Sequence, residues 1–325
     1  LKEIFIMEIT VIGCGRWGSF IAWYLDEIGN NVTLYGRESS KKMQQFKQTR
    51  ESDLIILPES IVLSNQLDSI TNSEIIVISI NSQNLSSLMK QISQLNIRNK
   101  TIVLCMKGIE ISSGKRLSEI AKESVDKSNS VCVWLGPGHV QEFCNGIPNC
   151  MVIDSDDTYT KEKLVNQFSS ELIRFYYGND IIGSEIGGAA KNVIGIAAGM
   201  LDGLNLTTLK GALMSRGTKE VSKLVVAMGG NELSAYGLCH LGDYEATVFS
   251  QFSNNRKFGE SYVKGESFEK LAEGYYTAQA LMTLKERYKV DMPICTSVYN
   301  ILYNNCEPQD EIQNLFYRSF KNELS

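Results

Sequence analysis

The chain has 325 residues, of which 43% are hydrophobic and 21% charged, and its formal net charge is −5. That length accommodates two domains, and the charge balance offers no basic footprint for nucleic acid. No apolar run is long enough to span a bilayer, so no membrane insertion is expected.

Residues 1–6 are too few for a secretory signal and lack a small-residue cleavage site. Met7 stands just before the first strand-like run and would serve as an initiator, which would make the preceding residues a start-site artefact. Ile9, Val11 and Ile12 then give the apolar alternation of a strand, and residues 20–25 read as a helix. Between them runs Gly13-Cys14-Gly15-Arg16-Trp17-Gly18. Strand, glycine turn and helix in that order, at G-x-G-x-x-G spacing, form the context in which this motif binds a dinucleotide. Gly13 permits the tight turn, Gly15 lets a pyrophosphate approach the backbone, and Gly18 lets the helix pack close to the strand. The N–H groups at the helix start then face the phosphates.

A second strand, 31–35, ends in Gly36-Arg37-Glu38-Ser39-Ser40. Here a dinucleotide fold selects its cofactor: an acid accepts from the ribose 2′-hydroxyl of NAD, and an arginine receives the 2′-phosphate of NADP. Arg37 with Ser39 and Ser40 favours NADP. Glu38 keeps NAD open, and Arg37 as a solvated surface cation is the plain alternative.

Short strands are predicted at 54–57 and 61–63, and a helix at 84–95. Residues 75–80, 101–106 and 131–135 are continuous apolar runs, the mark of strands buried on both faces of a parallel sheet. The second run ends in Lys107-Gly108 and the third in Gly136-Pro137-Gly138-His139. Carboxyl ends of such strands are where open α/β sheets bind ligands, so the two turns predict one shared cleft; Lys107 as a surface lysine is the alternative. His139 keeps three readings: substrate contact, turn cap or solvent-facing ring. Runs at 150–154 and 173–177 close the series around a helix at 159–170. The strand–helix alternation stops there, which predicts two domains, 1–179 and 180–325.

The remainder reads as helical. Residues 186–200 are mostly small and include four glycines. A glycine costs about 1 kcal/mol per helix position relative to alanine, so these predict close approach of another backbone or of a cofactor. Lys191 and Asn192 are the strongly polar side chains of the stretch. A buried lysine is desolvated, which lowers its pKa and suits it to proton transfer; a head that snorkels to water is the alternative. Helical pattern continues over 210–229 and 234–241, and Gly242-Asp243 ends it with a carboxylate. Ser253-Asn254-Asn255-Arg256-Lys257-Phe258-Gly259 reads as a loop of polar donors, a clamp for an anionic substrate or for cofactor phosphates. An amphipathic helix is predicted at 268–288, containing Glu273-Gly274, and Met292-Pro293-Ile294 opens a final helical pair. The eight cysteines contain no C-x-x-C pair, which predicts free thiols in a reducing cytoplasm. The two histidines, His139 and His240, have no ligand-like neighbours, so no metal is expected.

These landmarks resemble the NAD(P)-dependent glycerol-3-phosphate dehydrogenase family of bacterial type. The likeness rests on residues 11–18, Lys107-Gly108, Gly136-Pro137, Gly187-Gly188-Ala189-Ala190-Lys191-Asn192-Val193-Ile194, Leu241-Gly242-Asp243, Asn255-Arg256-Lys257-Phe258-Gly259, Glu273-Gly274 and Met292-Pro293-Ile294. It implies a Rossmann-type α/β domain followed by an all-α domain like the C-terminal domain of 6-phosphogluconate dehydrogenase. It implies interconversion of dihydroxyacetone phosphate and sn-glycerol 3-phosphate with NADP or NAD, a supply of glycerophospholipid precursor, and a cytoplasmic enzyme that is a candidate homodimer. Lys191 would be the general acid/base and Asp243 would orient it or a substrate hydroxyl. Gly13, Gly15, Arg16, Trp17, Gly18, Arg37, Lys107, Val140, Arg256 and Glu273 would bind the cofactor. Lys107, Gly136, Gly138, Lys191, Asp243, Ser253, Asn255 and Arg256 would bind the phosphorylated substrate.

Two positions depart from the family. Gly138 stands where a serine or threonine is usual, and Asn254 stands where an arginine meets the substrate phosphate. A charge-assisted hydrogen bond is worth about 1.5–3 kcal/mol, so the reaction type is better supported than the substrate. Arg256 or Lys257 would have to compensate. The competing enzyme reading is a dehydrogenase of another polyol phosphate or small 2-oxo substrate, in the manner of ketopantoate reductase. A cofactor-binding sensor without turnover ranks last, because Lys191 and Asp243 are both in place.

Overall fold

The computed structural model describes residues 6–320 and 322–323; the start-site reading of residues 1–6 lies, Ile6 apart, outside them. The β-branched runs form eight strands among the described residues. These are β1 (Glu8–Ile12), β2 (Asn31–Tyr35), β3 (Val62–Ser64), β4 (Ile75–Ile78), β5 (Thr101–Leu104), β6 (Ser130–Leu135), β7 (Asn149–Asp154) and β8 (Ile173–Tyr177). They make one sheet in the order β3-β2-β1-β4-β5-β6-β7-β8. All neighbours are parallel except β6 and β7, which pair antiparallel. Strand order reverses at β1, between β2 and β4, and such a switch point leaves a crevice at the carboxyl ends of the strands.

Burial explains the apolar runs. Ile75, Val77, Val103, Cys132 and Trp134 face one side of the sheet, and Ile76, Ile78, Ile102, Leu104, Val131 and Val133 the other, all essentially inaccessible. Helices cover both faces: α1 (Arg16–Glu27), α2 (Lys41–Thr49), α3 (Leu85–Gln94), α4 (Leu117–Ser124), α5 (Val140–Cys144) and α6 (Thr158–Phe168). One predicted strand is absent. Residues 54–57 contribute only an isolated bridge between Glu51 and Ile56, because Ile55 and Leu57 turn inward as hydrophobic plugs under a loop.

After β8 the chain is helical: α7 (Ile181–Gly203), α8 (Lys210–Ala227), α9 (Asn254–Val263), α10 (Glu273–Tyr288), α11 (Pro293–Tyr303) and α12 (Pro308–Phe316). Three predictions need correction here. Residues 234–241 form a short 3-10 turn, Glu232–Tyr236, and then irregular backbone rather than helix. The polar stretch 253–259 is the start of α9, not a loop: Ser253 is its N-cap and accepts from the Arg256 N–H. The helix expected from 268 begins only at Glu273. No helix among the described residues is long and apolar enough to cross a membrane. All eight cysteine thiols are free, five of them buried.

The glycines of α7 mark where backbones touch. A Cβ at Gly199 would lie 1.8 Å from the Arg256 carbonyl oxygen, and one at Gly259 would lie 2.1 Å from that of Ile196. Thus α7 and α9 cross with main chains in contact, each supplying a glycine to the other. A Cβ at Gly274 would lie 2.5 Å from the Asn192 carbonyl oxygen, so α10 also packs close to the α7 backbone. A second tie joins α7 to the sheet half. The buried Glu185 carboxylate accepts from Arg116 Nη1 (2.7 Å) and from the Ser118 N–H (2.8 Å) and Oγ (2.5 Å) at the start of α4. Gly199→Ala should lower stability by about 2 kcal/mol or more, as overpacking does; thermal unfolding of the variant against wild type measures it.

Candidate active site

The glycine turn after β1 has the geometry a dinucleotide requires. Gly13 has φ of +115°, and a Cβ there would meet the Ser79 carbonyl oxygen at 2.1 Å. Gly18 packs against the Gly13 carbonyl, where a Cβ would lie 1.9 Å away. By contrast nothing lies within 4 Å of a Cβ at Gly15, which caps α1 without a side chain to occupy the helix N–H groups. That open, uncapped helix start is suited to a pyrophosphate. Arg16 and Gly15 are exposed, and the Trp17 ring lies 5.3 Å from Phe20 and 6.1 Å from Phe143 of α5. Val140, at the start of α5, is buried. Arg37 and Glu38 are both exposed beyond β2, so the fold itself chooses neither cofactor there.

The chemistry gathers around one carboxylate. Asp243, 1% exposed, closes a 3-10 turn (Leu241–Asp243). Its Oδ2 lies 2.6 Å from Lys191 Nζ on α7 and 2.6 Å from Lys107 Nζ beyond β5. Lys107 also donates to the Gly136 carbonyl oxygen (2.6 Å), which joins the two predicted turns into one cleft. Lys191 donates to Thr247 Oγ1 (2.7 Å), on a π-helical turn (Glu245–Phe249) that follows Asp243. Such turns occur often at functional sites.

Lys191 is 7% exposed, so its head does not snorkel to water. Burial drives its pKa down to about 7; Asp243 pulls it up and Lys107 pushes it further down. A single buried carboxylate shared by two lysines cannot hold both protons firmly, and the more buried amine is the one that yields. Behind the pair, His240 is fully buried and its pKa falls to about 4 through desolvation. It is therefore neutral. Its Nδ1 faces the Gly187 carbonyl oxygen (2.9 Å), which can only accept, so the proton is assigned to Nδ1. Nε2 then accepts from the Tyr244 hydroxyl (2.7 Å). This chain links the α7 turn that precedes Lys191 to the turn that carries Asp243.

Asn255 acts as a spacer. Its Nδ2 donates to Asn192 Oδ1 (3.0 Å), and its Oδ1 accepts from the Gly274 N–H (2.9 Å). Asn192 Nδ2 in turn donates to the Lys107 carbonyl oxygen (3.3 Å). Glu273, half-buried at the start of α10, accepts from Ser82 Oγ (2.9 Å), and desolvation raises its pKa. Ser253 is occupied as the cap of α9. Arg256 does not reach the lysine cluster: its Nε is held by Asp202 (2.7 Å) and its Nη2 lies 3.5 Å from Glu260. Asp202 also binds Lys210 (2.6 Å), so Arg256 belongs to a separate charge cluster. Lys257 points outward and is exposed. Gly138, with φ of +138°, could not carry a side chain, because a Cβ would lie 2.4 Å from the Phe143 ring.

Two residues escaped the sequence reading. Thr247 lies in a stretch with no pattern to single it out, and His240 is separated from Gly187 by most of two helices. Its only signal was its place three residues before Asp243. An apolar cavity of about 400 Å³ lies among α7, α8, α11 and α12, with no predicted site residue in its lining.

Two family profiles match the chain: the NAD-dependent glycerol-3-phosphate dehydrogenase N-terminus over residues 8–161 and its C-terminus over residues 180–313. A glycerol-3-phosphate dehydrogenase [NAD(P)+] of Thermoanaerobacter sp. (strain X514) is 34% identical, covering 98% of this chain and 99% of the relative. One from Clostridium botulinum (strain Eklund 17B / Type B) is 35% identical at the same coverage. The crystal structure of glycerol-3-phosphate dehydrogenase from Coxiella burnetii superposes with a TM-score of 0.89 at 26% identity, over 96% of this chain and 99% of that one. A ketopantoate reductase from Ralstonia eutropha JMP134 shares the fold alone, with a TM-score of 0.62 at 11% identity over 94% of this chain and all of that one.

A lysine depressed in the folded state burdens stability most below its folded pKa, where both states carry the proton. The burden declines as pH rises from about 7 towards the unfolded value. Wild type should therefore gain Tm between pH 7 and pH 10, a rise that Lys191→Met should lack. Thermal melts across that range test the sign.

Proposed function

The chain belongs to the NAD-dependent glycerol-3-phosphate dehydrogenase family, and on that premise we propose that Lys191 moves the proton in its reaction while Asp243 and Lys107 hold the reacting oxygen's surroundings. The enzyme interconverts dihydroxyacetone phosphate and sn-glycerol 3-phosphate with NAD(P). The observation that supports the assignment is the Lys191–Asp243–Lys107 cluster, in which one buried carboxylate oxygen contacts both ammonium groups.

Bound NAD(P)H supplies the hydride. As the carbonyl carbon of dihydroxyacetone phosphate gains that hydride, its oxygen takes up an electron pair and needs a proton. Lys191 Nζ is the donor. A pKa of about 7 lets it give the proton in reduction and take it back in oxidation. Lys107, beside it, stabilises the developing alkoxide. Asp243 holds both amines at 2.6 Å, and Thr247 accepts a second hydrogen bond that fixes the direction of Lys191 Nζ. Gly13, Gly15 and Gly18 shape the phosphate turn for the cofactor, which Arg16 and Trp17 continue; Val140 at the start of α5 and Glu273 at the start of α10 are our further candidates to hold it. The two functional halves divide at 179/180, between the end of β8 at Tyr177 and the start of α7 at Ile181. Arg37 is our candidate for the NADP 2′-phosphate.

The first experiment is oxidation of NADPH and NADH by the purified protein with dihydroxyacetone phosphate, using dihydroxyacetone as control. Turnover with the phosphate alone is the expected result; turnover with neither overturns the reading. Lys191→Ala should lower kcat by two orders of magnitude or more while NADPH affinity changes little, and equal loss of both would make the lysine structural. Reduction should decline as pH rises through about 7, and glycerol 3-phosphate oxidation should rise over the same window.

Asn254 leaves the substrate phosphate without the arginine that the family resemblance implies, and Arg256 is engaged with Asp202 and Glu260. Asn254→Arg should lower the KM for dihydroxyacetone phosphate by roughly tenfold, the worth of one charge-assisted hydrogen bond. An unchanged KM would show that Lys257 or another cation already holds the phosphate.

A further inference from the structure

Three buried side-chain atoms among the described residues have no hydrogen-bond partner: His139 Nε2, Gln141 Oε1 and Asp243 Oδ1. Buried polar groups are nearly always satisfied, and each exception calls for a reason. Here the exceptions are not scattered. Two sit on the segment that follows β6, and the third is the free oxygen of the carboxylate that binds both lysines.

Gln141 Oε1 and Asp243 Oδ1 are acceptors by nature. Burial holds the His139 imidazole pKa below its ordinary value, so the neutral ring persists at physiological pH. With its proton assigned to Nδ1, Nε2 is a third acceptor. Surplus acceptors of this kind fit a ligand rich in hydroxyl donors.

The ring is also well held and well placed. It packs edge-on against Phe252 at 5.6 Å, and its ionisation couples to Lys191 and Asp243. It thus bridges the loop after β6 and the segment leading into α9. These are the two segments on which Gly138 and Asn254 depart from the family. Gly138 offers no hydroxyl, and the Phe143 ring blocks any side chain there.

We propose that His139 is a specificity-determining residue of this site: its Nε2 accepts a hydrogen bond from the free hydroxymethyl group of the three-carbon substrate, a contact Gly138 cannot make. The proposal rests on the dihydroxyacetone phosphate reading given above. Phe252 packs edge-on against the ring and limits its rotation.

The test compares kcat/KM for dihydroxyacetone phosphate with that for hydroxyacetone phosphate, in which a methyl group replaces the hydroxymethyl. Wild type should prefer the hydroxylated compound. His139→Phe should lower kcat/KM for dihydroxyacetone phosphate about three- to tenfold, the span of one neutral hydrogen bond, and leave the analogue within twofold. His139→Gln, which restores an acceptor, should regain part of the preference. NADPH fluorescence reports folding of each variant, and if His139→Phe does not bind, His139→Leu is read by the same ratio. An unchanged preference in the ring-replaced variant overturns the proposal alone. A wild type that turns over neither compound overturns the substrate reading, and this proposal with it.

Discussion

Asp243 Oδ2 accepts two ammonium groups at 2.6 Å, one from each half of the molecule. Removing a charge from water is costly, and a buried carboxylate survives only when its partners are close and fixed. Much of the surrounding architecture serves that condition. The small residues of α7 let Lys191 be buried, β5 and β6 end where Lys107 can reach both Asp243 and the Gly136 carbonyl, and the π-helical turn delivers Thr247 to the same nitrogen. The pair of lysines also repel each other. That repulsion, added to desolvation, brings one of them into the range where it can exchange a proton at neutral pH.

Neutral groups support the charged ones. His240 and Tyr244 form a buried hydrogen-bonded chain that joins α7 to the Asp243 turn without adding another charge. Asn255 does the same between α7 and α10, with both ends of its amide engaged. Fully satisfied polar networks of this kind fix geometry at low electrostatic cost. They give the cluster its defined distances.

The sheet and the glycine turn were legible because their signals are local. Apolar runs such as 101–106 and 131–135 need no knowledge of distant residues, and the Gly13–Gly18 turn carries its own context. Lys191 and Asp243 were legible as types, a lysine in a small-residue helix and a carboxylate after glycine, though their contact was not. The pairing of Arg256 was not legible because its partner, Asp202, lies on a helix more than fifty residues away. The 253–259 stretch looked like a loop because polar side chains obscured the serine cap, and the helix it starts is stabilised by backbone contact with Gly199 rather than by its own apolar face. Thr247 had no pattern at all, and His139 was legible only as the end of the turn after 131–135, with substrate contact one of three readings; each matters through where the fold puts it.

Glu185 belongs to the helical half, whereas its three hydrogen-bond donors belong to Arg116 and Ser118 of the sheet half. The joint is buried, so a mismatch on either side would leave a desolvated charge without a counterpart. The halves are consequently not interchangeable modules. A chimera that grafted the helical half of a distant relative onto this sheet would have to carry the Glu185 partners with it, and natural recombination faces the same constraint. The two parts of this enzyme have to be inherited together.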